Sequence, residues 1–170
     1  MLHKNTEIKK NKMGELAIFA TALIEQGEIV WQISSSDKIF SKEEALNLPI
    51  RQRELVFKYK DKYALTTDNS QYMNHSCNPN FWFIDDATLV AKWDIKQGGE
   101  ITYDYSTTEI DPVFIDEWRC LCGSENCRGR ISPNDCLKKE FQELHAGHLP
   151  SSTVEFINRN KKSKFITKKI

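Results

Sequence analysis

Short apolar runs and turn residues alternate along the first two thirds of the chain, and this pattern predicts many short strands. Residues 16–20 and 29–31 are apolar and separated by Glu25-Gln26-Gly27-Glu28, which reads as strand, turn and strand in a hairpin. Further runs rich in β-branched and aromatic residues, bounded by Asp, Asn and Gly, place strands over 54–59, 63–67, 80–84, 88–93 and 100–103. Ser41-Lys42-Glu43-Glu44 has capping-box spacing, so a short peripheral helix starts there and Pro49 closes it. The rhythm changes after residue 132. Leu137, Phe141 and Leu144 recur at helical spacing, with Pro133 near the start and Gly147 past the end, which predicts a terminal amphipathic helix over 133–145. From Leu149 onward, through Asn160-Lys161-Lys162-Ser163-Lys164 to Lys168-Lys169, the chain reads as a frayed, solvated and mildly basic tail. The expected fold class is mainly β, with few short helices.

Composition narrows the function. At 170 residues and 39% hydrophobic content the chain can bury one core, which argues for one domain. Its 24 basic and 24 acidic residues cancel and the sequence pI is near 6.9, so no global field gathers phosphate backbone, and nucleic acid is not expected as a direct partner. The polar, lysine-rich start has no apolar run of signal-peptide length, and no segment approaches the ~20 apolar residues of a membrane span. The expected setting is intracellular, cytoplasmic or nuclear, with no membrane partner.

The five cysteines are unevenly spaced. Cys120, Cys122 and Cys127 offer three soft ligands within one loop, and Gly123 lets that loop turn tightly. Zinc suits them, and a closed structural site needs a fourth ligand from elsewhere. Cys77 is the leading candidate. Cys136 and the histidines are rivals, although Cys136 beside Leu137 reads more simply as a small buried hydrophobe. Asn74-His75-Ser76-Cys77-Asn78-Pro79-Asn80 is polar yet flanked by Tyr72-Met73 and Phe81-Trp82-Phe83, so its side chains must find partners inside the protein. A His75–Cys77 nucleophile pair would also need an orienting acid and an oxyanion hole, which the sequence does not supply. The four tryptophans read as core or rim packing rather than a methyl-lysine cage, and His3, His145 and His148 carry no functional expectation.

Three segments in order, Asn74-His75-Ser76-Cys77, Glu100-Ile101-Thr102-Tyr103-Asp104-Tyr105 and Cys120-Leu121-Cys122 to Cys127-Arg128-Gly129, resemble the signatures of SET-domain protein-lysine methyltransferases. The resemblance runs from about Gly14 to Ile131. It implies a SET fold of small sheets with a pseudoknot over 14–106, a post-SET zinc loop over 116–132, and a peripheral helix and basic tail over 133–170. It also implies S-adenosylmethionine as donor, a protein substrate presenting a lysine, and one structural zinc on Cys77, Cys120, Cys122 and Cys127. Tyr105 corresponds to the catalytic tyrosine. Ala17, Ile18, Phe19, Tyr72, Asn74, His75, Tyr105 and Leu121 correspond to the donor-binding set. Tyr103, two residues before Tyr105 and expected on the same strand face, corresponds to a Phe/Tyr switch, and its hydroxyl implies mainly monomethylation.

Some positions depart from the family pattern. Glu15-Leu16-Ala17 stands where Gly-x-Gly is usual, so side chains sit where the backbone ordinarily approaches the donor. Gln71-Tyr72-Met73 replaces Arg-Phe-Ile, and Gly99 replaces a common acid. The missing glycines motivate an alternative reading, a catalytically inactive SET-like zinc module that binds other proteins.

Overall fold

The computed structural model describes residues 1–115 and 117–167, with side chains through 162. Among the described residues the strands are β1 (Thr6–Lys10), β2 (Leu16–Ala20), β3 (Ile29–Gln32), β4 (Lys38–Phe40), β5 (Phe57–Tyr59), β6 (Lys62–Leu65), β7 (Asn74–His75), β8 (Phe81–Phe83), β9 (Thr88–Ala91), β10 (Thr102–Tyr103), β11 (Trp118–Arg119) and β12 (Arg130–Ile131). The helices are α1 (Lys42–Leu46), α2 (Ile50–Arg53), α3 (Lys139–Leu144) and α4 (Ser151–Thr167). The protein is mainly β with few short helices, as its pattern predicts.

The strands form five small sheets: β1-β2, β3-β9-β8, β4-β6-β5, β11-β12, all antiparallel, and the parallel pair β7-β10. The apolar sides of β2, β3, β8 and β9 converge on one core containing Ile18, Val30, Trp31, Phe81, Phe83 and Leu89, joined by Met73 and Ile101. Burying such side chains supplies the main drive for folding. The segment at 100–103 is threaded between two partners. On one side Ile101 N–H donates to the Ile18 carbonyl at 2.8 Å, and Phe19 and Glu100 form an isolated bridge. On the other, Ser76 N–H donates to Tyr103 O at 3.1 Å, while Asn80 accepts Thr102 N–H at 2.9 Å and donates to Glu100 O at 2.8 Å. The polar residues around 74–80 thus find their partners in the strand that carries the tyrosines.

Several expectations need correction. β2 and β3 do not form a hairpin: β2 pairs with β1, and β3 pairs with β9. The polar start contains that edge strand, which backbone hydrogen bonds hold without needing an apolar face. Helix α1 has its predicted capping box at Ser41 and Glu44, but Pro49 also caps a second helix, α2, and the strand expected over 54–59 is confined to β5 at 57–59. The 133–145 helix is split into a 3₁₀ turn at Asp135–Leu137 and α3. The presumed tail forms α4, the longest helix, packed through buried Ser152, Thr153 and Ile157. Thr153 Oγ1 donates to Thr107 O at 2.6 Å, and Asp86 receives the Ser151 N–H at 2.6 Å. Lys168-Lys169 lie outside the described residues. Among the described residues no helix is long and apolar enough to cross a membrane.

Candidate active site and metal centre

The cysteine loop folds back on the first polar segment. Ligand atoms of His75, Cys77, Cys120 and Cys122 all lie within 4.8 Å of one another, and Cys127 packs into the same cluster. The Cys77 and Cys120 sulfurs are 3.8 Å apart. A tetrahedron with Zn–S near 2.3 Å has edges of about 3.8 Å, so this pair fits a common metal. Backbone N–H groups also converge on the sulfurs: Arg128 donates to Cys77 at 3.4 Å, Cys77 to Cys122 at 3.5 Å and Gly129 to Cys127 at 3.4 Å. Such donors orient and stabilise metal-bound thiolates. Burial pushes the Cys77 and Cys120 thiols up, Cys120 to about 11. For Cys122 burial acts the same way, but the Cys77 amide and the Ser124 hydroxyl outweigh it and lower the thiol to about 6.

His75 is not equivalent to the cysteines. Its Nδ1 accepts the Tyr105 N–H at 3.2 Å, while Asp104 Oδ1 lies farther from that nitrogen, at 3.5 Å. An acceptor Nδ1 in a neutral ring leaves the proton on Nε2. Nε2 lies 3.3 Å from Cys77 Sγ and in that tautomer donates to the sulfur. Burial keeps the ring neutral by lowering its pKa to about 4, against the opposing pull of Asp104.

Asp104 ties this centre to the C-terminal segment. The carboxylate is buried and accepts Arg128 Nη1 at 2.7 Å, Nη2 at 2.8 Å and His145 Nε2 at 3.3 Å. Burial alone would raise its pKa, but the Arg128 fork and His145 outweigh that and hold it well below the usual carboxylate range. Arg128 also faces Asp135 through Nε at 3.1 Å.

Asp104 has a second effect. Its side chain accepts the Ser106 N–H at 3.1 Å and starts a 3₁₀ turn over Tyr105–Thr107. Tyr103 ends β10 and Tyr105 opens this turn, so the two do not share a strand face, contrary to the alternation argument. The turn nevertheless brings their ring centroids within 4.9 Å. Tyr105 Oη donates to the Met73 carbonyl at 2.9 Å, and the His75 and Trp118 rings flank Tyr105 at 5.4 and 5.9 Å. Burial first, then the charges of Glu109, Glu15 and Glu100, raises the Tyr105 pKa and keeps the hydroxyl protonated.

Three cavities meet at Tyr105. A groove of about 500 Å³ is lined by Asn11, Met13, Glu15, Asn74, His75, Ser76, Glu100, Thr102, Tyr105, Trp118, Arg119 and the 120–122 segment. A second cavity of about 340 Å³ includes Phe57, Tyr105, Thr108, Glu109 and Trp118. A third, of about 100 Å³, runs past Tyr103, Tyr105 and Glu109 toward Trp31 and Ser70. The groove is of small-molecule size, and Glu15 and Glu100 make it suited to a cation.

Of the residues expected to bind donor, Asn74, His75, Tyr105 and Leu121 line this groove. Ala17 and Ile18 are fully buried, Phe19 and Tyr72 are half-buried, and none of the four lines it. The strand carrying the first three still reaches the site through its backbone, since Asn74 Nδ2 donates to Leu16 O at 3.3 Å. Sequence reasoning missed Asn11, Met13, Glu100, Trp118 and Arg119 as groove residues and Asp104, Arg128, Asp135 and His145 as one network. Arg128 and Asp104 both stand inside quoted motifs, but nothing in their spacing announces that they pair.

A small-sheet β fold with an interlocked tyrosine strand and a cysteine cluster beside it defines a recognisable class. The chain belongs to the SET domain family, whose model matches residues 15–106, more than half of the chain. The cysteine loop that follows fits a post-SET segment. The chain is similar to the histone-lysine N-methyltransferase ASHR3 of Arabidopsis thaliana, 42% identical over an 80-position alignment that covers 40% of this chain and 15% of that protein. It is also similar to the probable histone-lysine N-methyltransferase set-23 of Caenorhabditis briggsae, 32% identical over a 106-position alignment that covers 46% of this chain and 43% of that one. The chain therefore spans less than half the length of these curated relatives. Among solved structures, the methyltransferase domain of human histone-lysine N-methyltransferase SETMAR has the same fold, with TM-score 0.58 and 17% identity over 75% of this chain and 58% of that one. So does KRYPTONITE, solved in complex with mCHG DNA and SAH, with TM-score 0.57 and 22% identity over 76% of this chain and 29% of that one.

Proposed function

We propose that this chain methylates a lysine side chain on a protein substrate, using S-adenosylmethionine as donor. The observation that carries the reading is the position of Tyr105, which borders both the acidic groove and the two cavities beyond it. Bound in the groove, S-adenosylmethionine would supply a methyl group on a positive sulfonium. Glu15 and Glu100 suit that charge, and Asn74, His75, Tyr105 and Leu121 bind and orient the molecule, with Ala17, Ile18, Phe19 and Tyr72 supporting the groove from behind. The lysine enters by the cavity on the other side. Tyr105, fixed to the Met73 carbonyl, is the catalytic tyrosine, and its oxygen lone pair aligns the amine with the methyl group in a near-attack geometry. The amine must be neutral to react although its free pKa is ~10.4, and burial beside a sulfonium favours the neutral form.

Tyr103 lies close enough to Tyr105 for its hydroxyl to narrow the space left for a methylated amine, which favours monomethylation. Tyr103→Phe is then expected to shift product toward higher methylation by mass spectrometry. One structural zinc on Cys77, Cys120, Cys122 and Cys127 would hold Leu121 and Trp118 at the groove wall. The tautomer of His75 supports Cys127, not His75, as fourth ligand. The working division is 14–106 for the SET domain, 116–132 for the zinc segment and 133–170 for the C-terminal part. An intracellular protein substrate fits, and the histone-methylating names of relatives make histones the first to try.

Calorimetric titration of zinc-loaded protein with S-adenosylmethionine, with Asn74→Ala as control, tests the reading. Saturable one-to-one binding lost in the variant supports it. A folded, zinc-replete protein that binds no donor would instead be the inactive interaction module.

A further inference from the structure

Glu109 stands where the chemistry above leaves a carboxyl group unexplained. It follows the 3₁₀ turn that carries Tyr105, and its N–H donates to the Tyr105 carbonyl at 2.8 Å, so the two residues are placed together. It lines both cavities that meet Tyr105 outside the groove. The smaller of these cavities is lined by Tyr103, Tyr105 and Glu109 together.

Among the described residues that carboxyl has no hydrogen bond or ion pair. The other ionisable groups around it do not neutralise it. Asp104, on the turn before it, and Glu54, which lines both cavities, are acids, and Asp111 across the larger cavity is another. Lys58 in β5 lines the larger cavity, but its ammonium donates to Asp61 O at 3.1 Å and lies 4.4 Å from the centre of the Tyr63 ring. Burial first, and then Asp104, pushes the Glu109 carboxyl up to about 8. A half-buried acid facing other acids and no cation is costly to keep ionised, and an arriving cation would relieve that cost.

We propose that Glu109 is the residue that recognises the substrate as a cation, its carboxylate pairing with the lysine ammonium as the side chain enters beside Tyr105. The inference rests on the lysine-methyltransferase reading and names the group that selects the substrate side chain. Free lysine has a pKa of ~10.4, so the ammonium is the form the cavity must attract first. A charge-assisted N–H···O bond inside the cavity gives that attraction directional strength. Uncharged side chains of similar length gain nothing from it.

The test uses n-butylammonium as a lysine side-chain probe and 1-pentanol as its neutral counterpart. Zinc-loaded wild type and Glu109→Gln are each titrated with S-adenosylhomocysteine and with both probes, from pH 6.5 to 9.5. In the wild type, n-butylammonium affinity is expected to rise as pH passes about 8, where Glu109 ionises. At pH 9, Glu109→Gln is expected to bind n-butylammonium at least tenfold more weakly, with S-adenosylhomocysteine and 1-pentanol affinities unchanged. Equal n-butylammonium affinity in both proteins, or a wild-type affinity that ignores pH, overturns the proposal while a retained donor site leaves the methyltransferase standing. Glu109-dependent n-butylammonium binding in a protein that binds no S-adenosylhomocysteine keeps the cation site and removes the methyltransferase.

Discussion

The two halves of the site are held by different forces. The wall formed by β2, β7 and β10 rests on a continuous apolar core in which Ile18 and Ile101 are fully buried. The wall formed by 118–131 has two-residue strands, and the cluster beneath it is three sulfur or aliphatic side chains deep, namely Cys77, Cys120 and Ile131. What fastens that second wall is polar: the Asp104–Arg128–Asp135 network and the converging cysteines. Apolar burial is non-directional and tolerates small changes, whereas a buried ion pair depends on both partners. The polar-fastened wall of the groove is therefore expected to open while the apolar-backed wall stays folded.

The largest effect is expected from removing the zinc proposed for the cysteine cluster. Chelation at neutral pH is expected to abolish donor binding by calorimetry and to release amide-exchange protection over 118–131, while β2 and β9 keep theirs; uniform loss of protection would show a single cooperative unit. Arg128→Ala comes next. Removing one member of a buried pair costs about 3–5 kcal/mol, read as a lowered denaturation midpoint, with the exchange loss again concentrated in the second wall. Ile24→Val, in the same apolar core and away from the groove, should cost only about 1 kcal/mol and leave donor affinity unchanged.

A pH dependence separates Glu109 from both walls. Glu109 has a folded pKa near 8, above its unfolded value of 4.5, so the native state binds the extra proton between those values. Its contribution is fully present below pH 4.5 and is lost as pH rises through about 8. Relative to Glu109→Gln, the wild-type Tm should therefore fall between pH 5 and pH 9. A constant Tm difference would mean that Glu109 titrates normally.

How much could be read from the chain depended on the kind of force involved. Strands β2, β6, β8 and β9 carry apolar or β-branched residues facing a core, and their pattern is visible because burial imposes it. Strand β1 is polar and paired through its backbone, so its side chains reveal little. Helix α4 was hidden for a related reason: Asp86 and Thr107 hold its first turn from more than forty residues away. Cys136 was legible as a buried thiol. His148 was not, because its stacking on Trp82, at 3.5 Å and 4°, joins residues distant in sequence.

By itself the sequence determined the β-rich class, the family, the tyrosine pair and the cysteines that gather near Cys77, since residue types at close spacing restrict the chemistry they can support. Only the tertiary structure decided that β2 pairs backward to β1, that a turn and not a strand brings Tyr103 to Tyr105, that His75 Nδ1 faces the Tyr105 amide, and that Glu109 lines one cavity with both tyrosines. Each of those facts depends on directions and distances between segments far apart in the chain. Local patterns record which side chains are buried, but hydrogen-bond and charge partners exist only once the chain has closed around them.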